Sequence, residues 1–305
     1  MKINYQKFIE ENFLVPDKDT LSPIPFKLNT VQEKYYRLLN ERHPNMEGIR
    51  EIVLKARQQG MSSFILALFA VDFIVRPYSV SICISHRKDS TDLLFKKVKA
   101  YITSYFAKLA EKQGTSLEAV QKQFLKSDNR NLIENAENDA IFYIGTAGAK
   151  VGGRGGTATN ILFSECAFYQ DTELITAQEI VVGTAQQVPQ DHGMIFIEST
   201  ANGEGNYYHE TWEKANEFDD NGARLSVYYP QFFGWQEFYS EEWIEKKKKE
   251  FPNEKMAMQE YPSDPDEAFV TSGTPYFNTL ILNEMLKAKT DPIRQGRFAP
   301  DGQFS

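Results

Sequence analysis

An α/β protein with a mostly parallel sheet between two helical layers is what this sequence predicts. Three observations predict it. Short apolar runs alternate with helix-length stretches along most of the chain, which implies βαβ units. Several of those runs are apolar at nearly every position, as strands covered on both faces are. Near residue 60 one such run passes through a glycine turn straight into a long apolar helix, EIVLKARQQGMSSFILALFAVDFI.

Size and composition agree. The chain has 305 residues with 41% hydrophobic and 25% charged side chains, enough to bury a core without disulfides or structural metals. Its two cysteines, Cys83 and Cys166, lie inside apolar runs and read as buried thiols in a reducing compartment, so no disulfide framework or cysteine zinc site is expected. The four histidines are scattered without ligand spacing, which argues against zinc, and no Ser-His-Asp arrangement is visible. The N-terminus has no apolar signal region, and no apolar stretch is long enough to span a bilayer. A net charge of −8 excludes a protein that coats DNA with its whole surface, but not a local basic patch.

In chain order, residues 1–50 precede the first core strand and read as helical, with 32–40 the clearest piece. Strands are expected at 51–56, 79–85, 140–146, 160–164, 194–199 and 224–229, and helices at 62–75, 90–112, 171–182 and 206–217. Residues 111–138 read as a polar helical insertion. After Pro230 aromatic and charged residues dominate, and 231–290 is expected to be a small helical lid. Its lysine run, 246–249, reads as a solvated helix face, with DNA contact the rarer use. Residues 291–305 read as a tail or linker. The organisation expected is thus 1–50, a nucleotide-binding core at 51–230, a lid at 231–290 and a tail.

The chemistry concentrates in KARQQGMSS (55–63). A strand, a glycine turn and a helix opening on hydroxyls is the layout of a phosphate-binding loop: Gly60 lets the backbone approach, the helix start offers N–H groups, and Ser62 or Ser63 can serve Mg²⁺. The usual GxxxxGK[ST] pattern is broken, because Met61 stands at the lysine position and the first glycine is absent. A cation is still needed near the β- and γ-phosphates, and Lys55 and Arg57 flank the loop. The plainer reading is a strand-turn-helix with a serine cap.

Other pieces are compatible. NILFSECAFY ends an apolar strand on Ser164-Glu165, where Glu165 can polarise an attacking water and, with Ser62, serve the metal; Ser164 stands where an aspartate is expected. MIFIESTANG ends on Ser199 and Thr200, followed by Asn202 and Gly203, and could sense the γ-phosphate or merely form a turn. The glycine-rich 145–160 carries Lys150 and Arg154. Arg154 could act as an arginine finger, touch a DNA phosphate, or belong to a surface loop. Gln32 has an amide able to read an adenine edge. His86 follows a strand tip and could lie near the site or serve structure alone.

Taken together, these motifs resemble the ATPase domain of the large terminase subunit of tailed double-stranded DNA bacteriophages. The order PF-x-L-x-x-x-Q, KARQQGMSS, SECAF, IESTANG, YPSDPDEAF and SGTPYF spans about residues 22–280. The resemblance implies a three-layer αβα P-loop NTPase fold of the ASCE, RecA-like kind, using ATP and Mg²⁺. It makes Lys55 the surrogate lysine and Arg57 the loop arginine, with Gln58, Gln59, Gly60, Met61, Ser62 and Ser63 completing the Walker A loop. It makes Glu165 the Walker B glutamate, Ser199, Thr200, Asn202 and Gly203 the coupling motif, Gln32 the adenine-side glutamine, and Arg154 a finger between subunits. It further implies double-stranded DNA, a homo-oligomeric ring on a portal and a small terminase subunit as partners, with no membrane, in the host cytoplasm. Family members usually carry a C-terminal RNase H-type nuclease. Residues after Thr274 lack its aspartate cluster, so the motor half alone is expected. A helicase-like remodelling ATPase and a non-catalytic nucleotide-binding scaffold are the alternatives. The first would need a second RecA-like domain, and Met61 and Ser164 are the features that favour the second.

Overall fold

The computed structural model describes residues 3–17, 20, 22–147, 157–269 and 285. Its elements in chain order are α1 (Tyr5–Asn12), β1 (Leu14–Pro16), β2 (Pro23–Pro25), α2 (Thr30–Arg42), β3 (Ile49–Lys55), α3 (Met61–Val75), β4 (Val80–Ser85), α4 (Lys88–Gln113), α5 (Leu117–Phe124), β5 (Leu125–Asp128), β6 (Leu132–Asn135), β7 (Ile141–Thr146), β8 (Asn160–Ser164), α6 (Ala177–Ala185), β9 (Met194–Ser199), α7 (Tyr207–Asn216), β10 (Tyr229–Phe233), α8 (Glu241–Lys248), α9 (Glu254–Glu260) and α10 (Pro265–Ala268).

The main sheet runs β10-β3-β9-β8-β4-β7-β6-β5. From β10 to β7 every pairing is parallel, and β6 and β5 are added antiparallel at one edge. One core layer packs Val53, Phe196 and Leu162 under α1, α2, α3 and α4. The other packs Ile52, Ile197 and Phe163 under α6 and α7. The three-layer αβα class expected from the sequence is the one observed. Because strand side chains alternate faces, the parity of each strand decides which layer a residue joins.

α3 is apolar all round because it lies between the sheet and α1 and α4 rather than at the surface. Its one acid, Asp72, is satisfied inside: Tyr5 Oη donates to Oδ1 at 2.5 Å and Asn160 Nδ2 to Oδ2 at 2.9 Å. No helix of the described residues is long and apolar enough to cross a membrane. Cys83 and Cys166 are buried and free.

Four expectations need correction. Residues 111–138 are not a wholly helical insertion: α5 is followed by the hairpin β5–β6, whose strands extend the sheet past β7. Likewise, the N-terminal stretch is not all helix, since β1 and β2 form a separate antiparallel pair between α1 and α2. The strand expected at 224–229 lies at Tyr229–Phe233, so the core sheet continues past residue 230. Pro230 would break an interior strand but is tolerated here because β10 is, among the described residues, an edge strand paired only to β3. Finally, α6 starts at Ala177 rather than 171, where a reciprocal capping box between Thr176 and Glu179 sets its first turn.

β3 also carries Glu51, fully buried, whose Oε1 accepts from Arg42 at 2.8 Å and whose Oε2 accepts from Tyr35 at 3.4 Å. Burial pushes its carboxyl up to about 7, against the pull of Arg42 and the Tyr35 hydroxyl. The folded state therefore holds this proton more tightly than the unfolded chain does. The stability so contributed is complete below the ordinary glutamate value, about 4.3, and is lost as pH rises towards 7. The Glu51→Gln variant should gain on the parent across that window by up to about 3 kcal/mol. Urea unfolding at pH 5 and pH 8 reads the difference; parallel curves for the two proteins would contradict it.

Candidate functional site

The C-terminal ends of the parallel strands gather the site. β3 ends at Lys55, a short loop (56–60) follows, and α3 begins at Met61. Gly60 caps α3 with φ +80 and ψ 15, a left-handed geometry that favours glycine, and no side chain caps the helix. The first-turn N–H groups of α3 are thus left to whatever lies in front of them. Gln58 is also left-handed, at φ 61.

The loop is held from two sides. On one, Asn29 Nδ2 donates to the Gln59 carbonyl at 3.0 Å and Gln32 Nε2 to the Gly60 carbonyl at 2.8 Å, while Asn29 and Gln32 form the capping box of α2. Both polar atoms of the Gln32 amide are engaged in this way, Oε1 accepting from the Asn29 N–H at 3.1 Å. On the other, the chain after β10 clasps the loop. Arg57 N–H donates to the Glu260 carbonyl at 2.8 Å, Tyr239 Oη to the Arg57 carbonyl at 2.9 Å, and Gln59 Nε2 to the Gly234 carbonyl at 2.7 Å. The Arg57 guanidinium meets Glu260 at 3.2 Å. An alanine Cβ at position 60 would stand 2.6 Å from Gln32 Nε2 and would force a left-handed φ. Gly60→Ala should therefore cost about 1–3 kcal/mol in urea unfolding and weaken any ligand bound at the loop. An unchanged midpoint would show that the loop tolerates a Cβ.

Lys55 is the centre of the site. It is only 4% exposed, and its Nζ lies 3.1 Å from Glu165 Oε1 and 3.2 Å from Glu198 Oε2. Burial alone would discharge it, but the two carboxylates more than offset that and hold the ammonium above its ordinary pKa. Met61 takes no part through its side chain, which is buried in the core; the position has become a packing residue. Ser62 Oγ donates to Glu198 Oε1 at 2.6 Å, and Ser63 Oγ accepts from Lys97 Nζ at 2.8 Å.

Glu165 follows β8 with φ 53 and ψ 47, a left-handed conformation uncommon for glutamate. That turn brings its carboxylate to Lys55. Ser199 Oγ and the Thr200 N–H both lie 3.4 Å from its other oxygen. Ser199 Oγ also accepts from the Ala167 N–H, and Asn202 Nδ2 donates to the Ala167 carbonyl, so the tip of β9 braces the turn after β8. Gly203, at φ 69, accepts from Asn206 and leads into α7. A cleft of about 320 Å³ opens over these groups, lined by Arg57, His86, Ser90, Glu165, Phe168, Thr200 and Glu260. Desolvation holds His86 below the ordinary imidazole value, against the nearby Glu165 carboxylate. Arg154 and Lys150 lie outside the described residues, as does SGTPYF.

Lys55, Ser62, Glu165, Ser199 and Thr200, all singled out in the sequence, are thus neighbours in space. Glu198, Lys97 and Glu260 were missed. Glu198 had a signal, since a glutamate inside the apolar MIFIES run shares strand parity with Met194 and Phe196 and faces the α3 layer. Lys97 and Glu260 had none, because only packing brings α4 and α9 to the loop.

A helix-opening loop, an acid at a neighbouring strand tip and a strand inserted between them define the additional-strand P-loop NTPase fold, with β9 between β3 and β8. Within that class the fold is similar to that of phage large terminase ATPase domains. The chain superposes on the Thermus phage P74-26 large terminase ATPase domain with a TM-score of 0.53 at 17% identity, covering 78% of this chain and 98% of that one. An arginine-to-alanine mutant of that domain gives 0.51 at 16% identity, covering 75% and 96%. The large terminase of a thermophilic bacteriophage gives 0.47 at 11% identity, where 73% of this chain spans 50% of that one. No family model and no curated protein matches the sequence.

Proposed function

We propose that this chain is an ATP-hydrolysing motor domain that drives double-stranded viral DNA into a procapsid. The observation that carries the reading is Lys55. A buried ammonium at the base of an uncapped helix-opening loop, held between two carboxylates, supports Lys55 as the cation that meets the terminal phosphates although the loop lysine is missing. The fold likeness to terminase ATPase domains supports it.

In this reading ATP lies over the loop 55–63, with its phosphates against the first-turn N–H groups of α3 and Lys55. The oxygen donors present, from Ser62, Ser164, Glu165 and Glu198, are of the hard kind that Mg²⁺ takes; they would hold the ion, which would neutralise phosphate charge. Glu165 accepts a proton from the attacking water. The water oxygen bonds to the γ-phosphorus, the bond to the β–γ bridging oxygen breaks, and ADP and phosphate leave. Loss of the γ-phosphate changes what Lys55 and Arg57 can pair with. Arg57 and Gln59 are tied to the segment after β10, so the loop and the lid move together, which is the link to DNA movement.

Arg154 as a finger from a neighbouring subunit, a ring on a portal, a small terminase partner and a site of action in the host cytoplasm belong to the same proposal. Phosphate release from ATP and Mg²⁺ by the purified chain, with and without double-stranded DNA, is the test. A chain that binds ATP without turnover is a scaffold, and one that binds none leaves the reading without its basis.

A further inference from the structure

We propose that Glu198 is the carboxylate ligand of the divalent cation at the nucleotide site, supplying from β9 the acid that β8 lacks at Ser164. The inference deepens the nucleotide-binding reading above and rests on it.

The first observation is a convergence. Ser62 Oγ and Ser164 Oγ both donate to the same oxygen, Glu198 Oε1, at 2.6 and 2.7 Å. Three oxygen-bearing side chains from three separate elements, α3, β8 and β9, thus meet at one point in front of the helix start. Mg²⁺ is usually held by one or two carboxylates, completed by substrate phosphates and water, rather than by an all-protein cage. A carboxylate with a helix-start hydroxyl is such a partial set.

The second is topology. Ser164 and Glu198 are partners in the parallel register of β8 and β9, and Val53 of β3 pairs with Glu198 from the other side. By strand parity Lys55, Ser164 and Glu198 all face the α3 layer, as Val53, Leu162 and Phe196 do one step earlier. A carboxylate moved one strand over, at the paired position, therefore still reaches Ser62.

The third is cost. Glu198 is fully buried, and a buried carboxylate is expensive unless paired. Its Oε2 faces Lys55 at 3.2 Å, but Lys55 already has Glu165. Lys97 also feels the Glu198 charge but is bonded to Ser63 Oγ rather than to the carboxylate, so among the described residues Oε1 has no cation in contact with it, and a divalent cation there would take that place. The two acids then have separate duties. Glu165 is engaged with Lys55, Ser199 and Thr200 on the cleft side, and Glu198 with the hydroxyls on the helix side.

A purely structural Glu198, serving as counter-ion to Lys55, makes a different prediction, and titration separates the two. ADP binding is measured by calorimetry without metal and with Mg²⁺, and Mn²⁺ uptake by the ADP complex by electron paramagnetic resonance. In Glu198→Gln, Mn²⁺ affinity should fall about 10²-fold, since altering even the outer partners of a metal site costs 10–100-fold, and the fall should exceed any change in metal-free ADP affinity by about ten-fold or more. Mn²⁺ uptake equal to the parent's overturns the proposal, and so does a loss of ADP affinity of the same size with and without metal. Should Glu198→Gln not fold, Ser164→Asp combined with Glu198→Ser decides: Mn²⁺ uptake by that variant supports the proposal, and its absence overturns it. A parent chain that binds no ADP under either condition defeats the nucleotide reading itself, whereas a parent that binds ADP with no gain from metal defeats the ligand assignment alone.

Discussion

Glu165→Ala is expected to leave ATP bound and to slow its hydrolysis by about 10²-fold or more, the usual contribution of a general base. The residue touches the cleft, and its oxygens are placed by Lys55, Ser199 and the Thr200 N–H rather than by a helix start. Its left-handed backbone is the cost of that aim. Removing the side chain keeps the Lys55 pairing with Glu198, so the loop keeps its cation and binding survives. Single-turnover hydrolysis and equilibrium binding measured on the same preparation give both numbers. Turnover within a few-fold of the parent would remove Glu165 from the chemistry and reopen the choice of base.

Lys55→Met should have the second large effect, and on two quantities at once. Glu198 has no exposure and would lose its only cation within 4 Å among the described residues. Breaking one side of a buried ion pair costs about 3–5 kcal/mol, because the remaining charge stays desolvated. The hydroxyls of Ser62 and Ser164 soften this but do not neutralise the charge. Urea unfolding should show the loss of stability, and ATP binding should disappear with it. Arg57 cannot substitute: it is more than half exposed and paired to Glu260 of α9. Nucleotide affinity that survives in Lys55→Met and vanishes in Arg57→Ala would reverse this assignment of the two cations.

Much of the fold was legible because the sheet is buried on both faces. Continuous apolar runs at 160–164 and 194–199 match β8 and β9 residue for residue. Where the sequence misled, the rule that won was non-local. Pro230 reads as a strand breaker, yet β10 forms because an edge strand has one side free of ladder bonds. The polar residues of β5 and β6 read as helix, yet they pair because β7 offers an open edge. In the lysine run at 246–249, Lys246 and Lys249 are exposed and Lys247 and Lys248 half-buried, and Lys246, Lys247 and Lys248 each lie beside a glutamate within one turn.

The amino-acid order by itself determined the α/β class, the strand–loop–helix at 51–75 and the acid at the end of the 160–164 strand. All three are local patterns of apolar period and turn chemistry. Only the tertiary structure decided that Met61 points into the core, that Lys55 stands between Glu165 and Glu198, and that two serines from different elements close on one carboxylate oxygen. Those facts depend on which strands become neighbours and in what register. Register is settled by burying whole faces at once, a quantity that no short stretch of sequence contains.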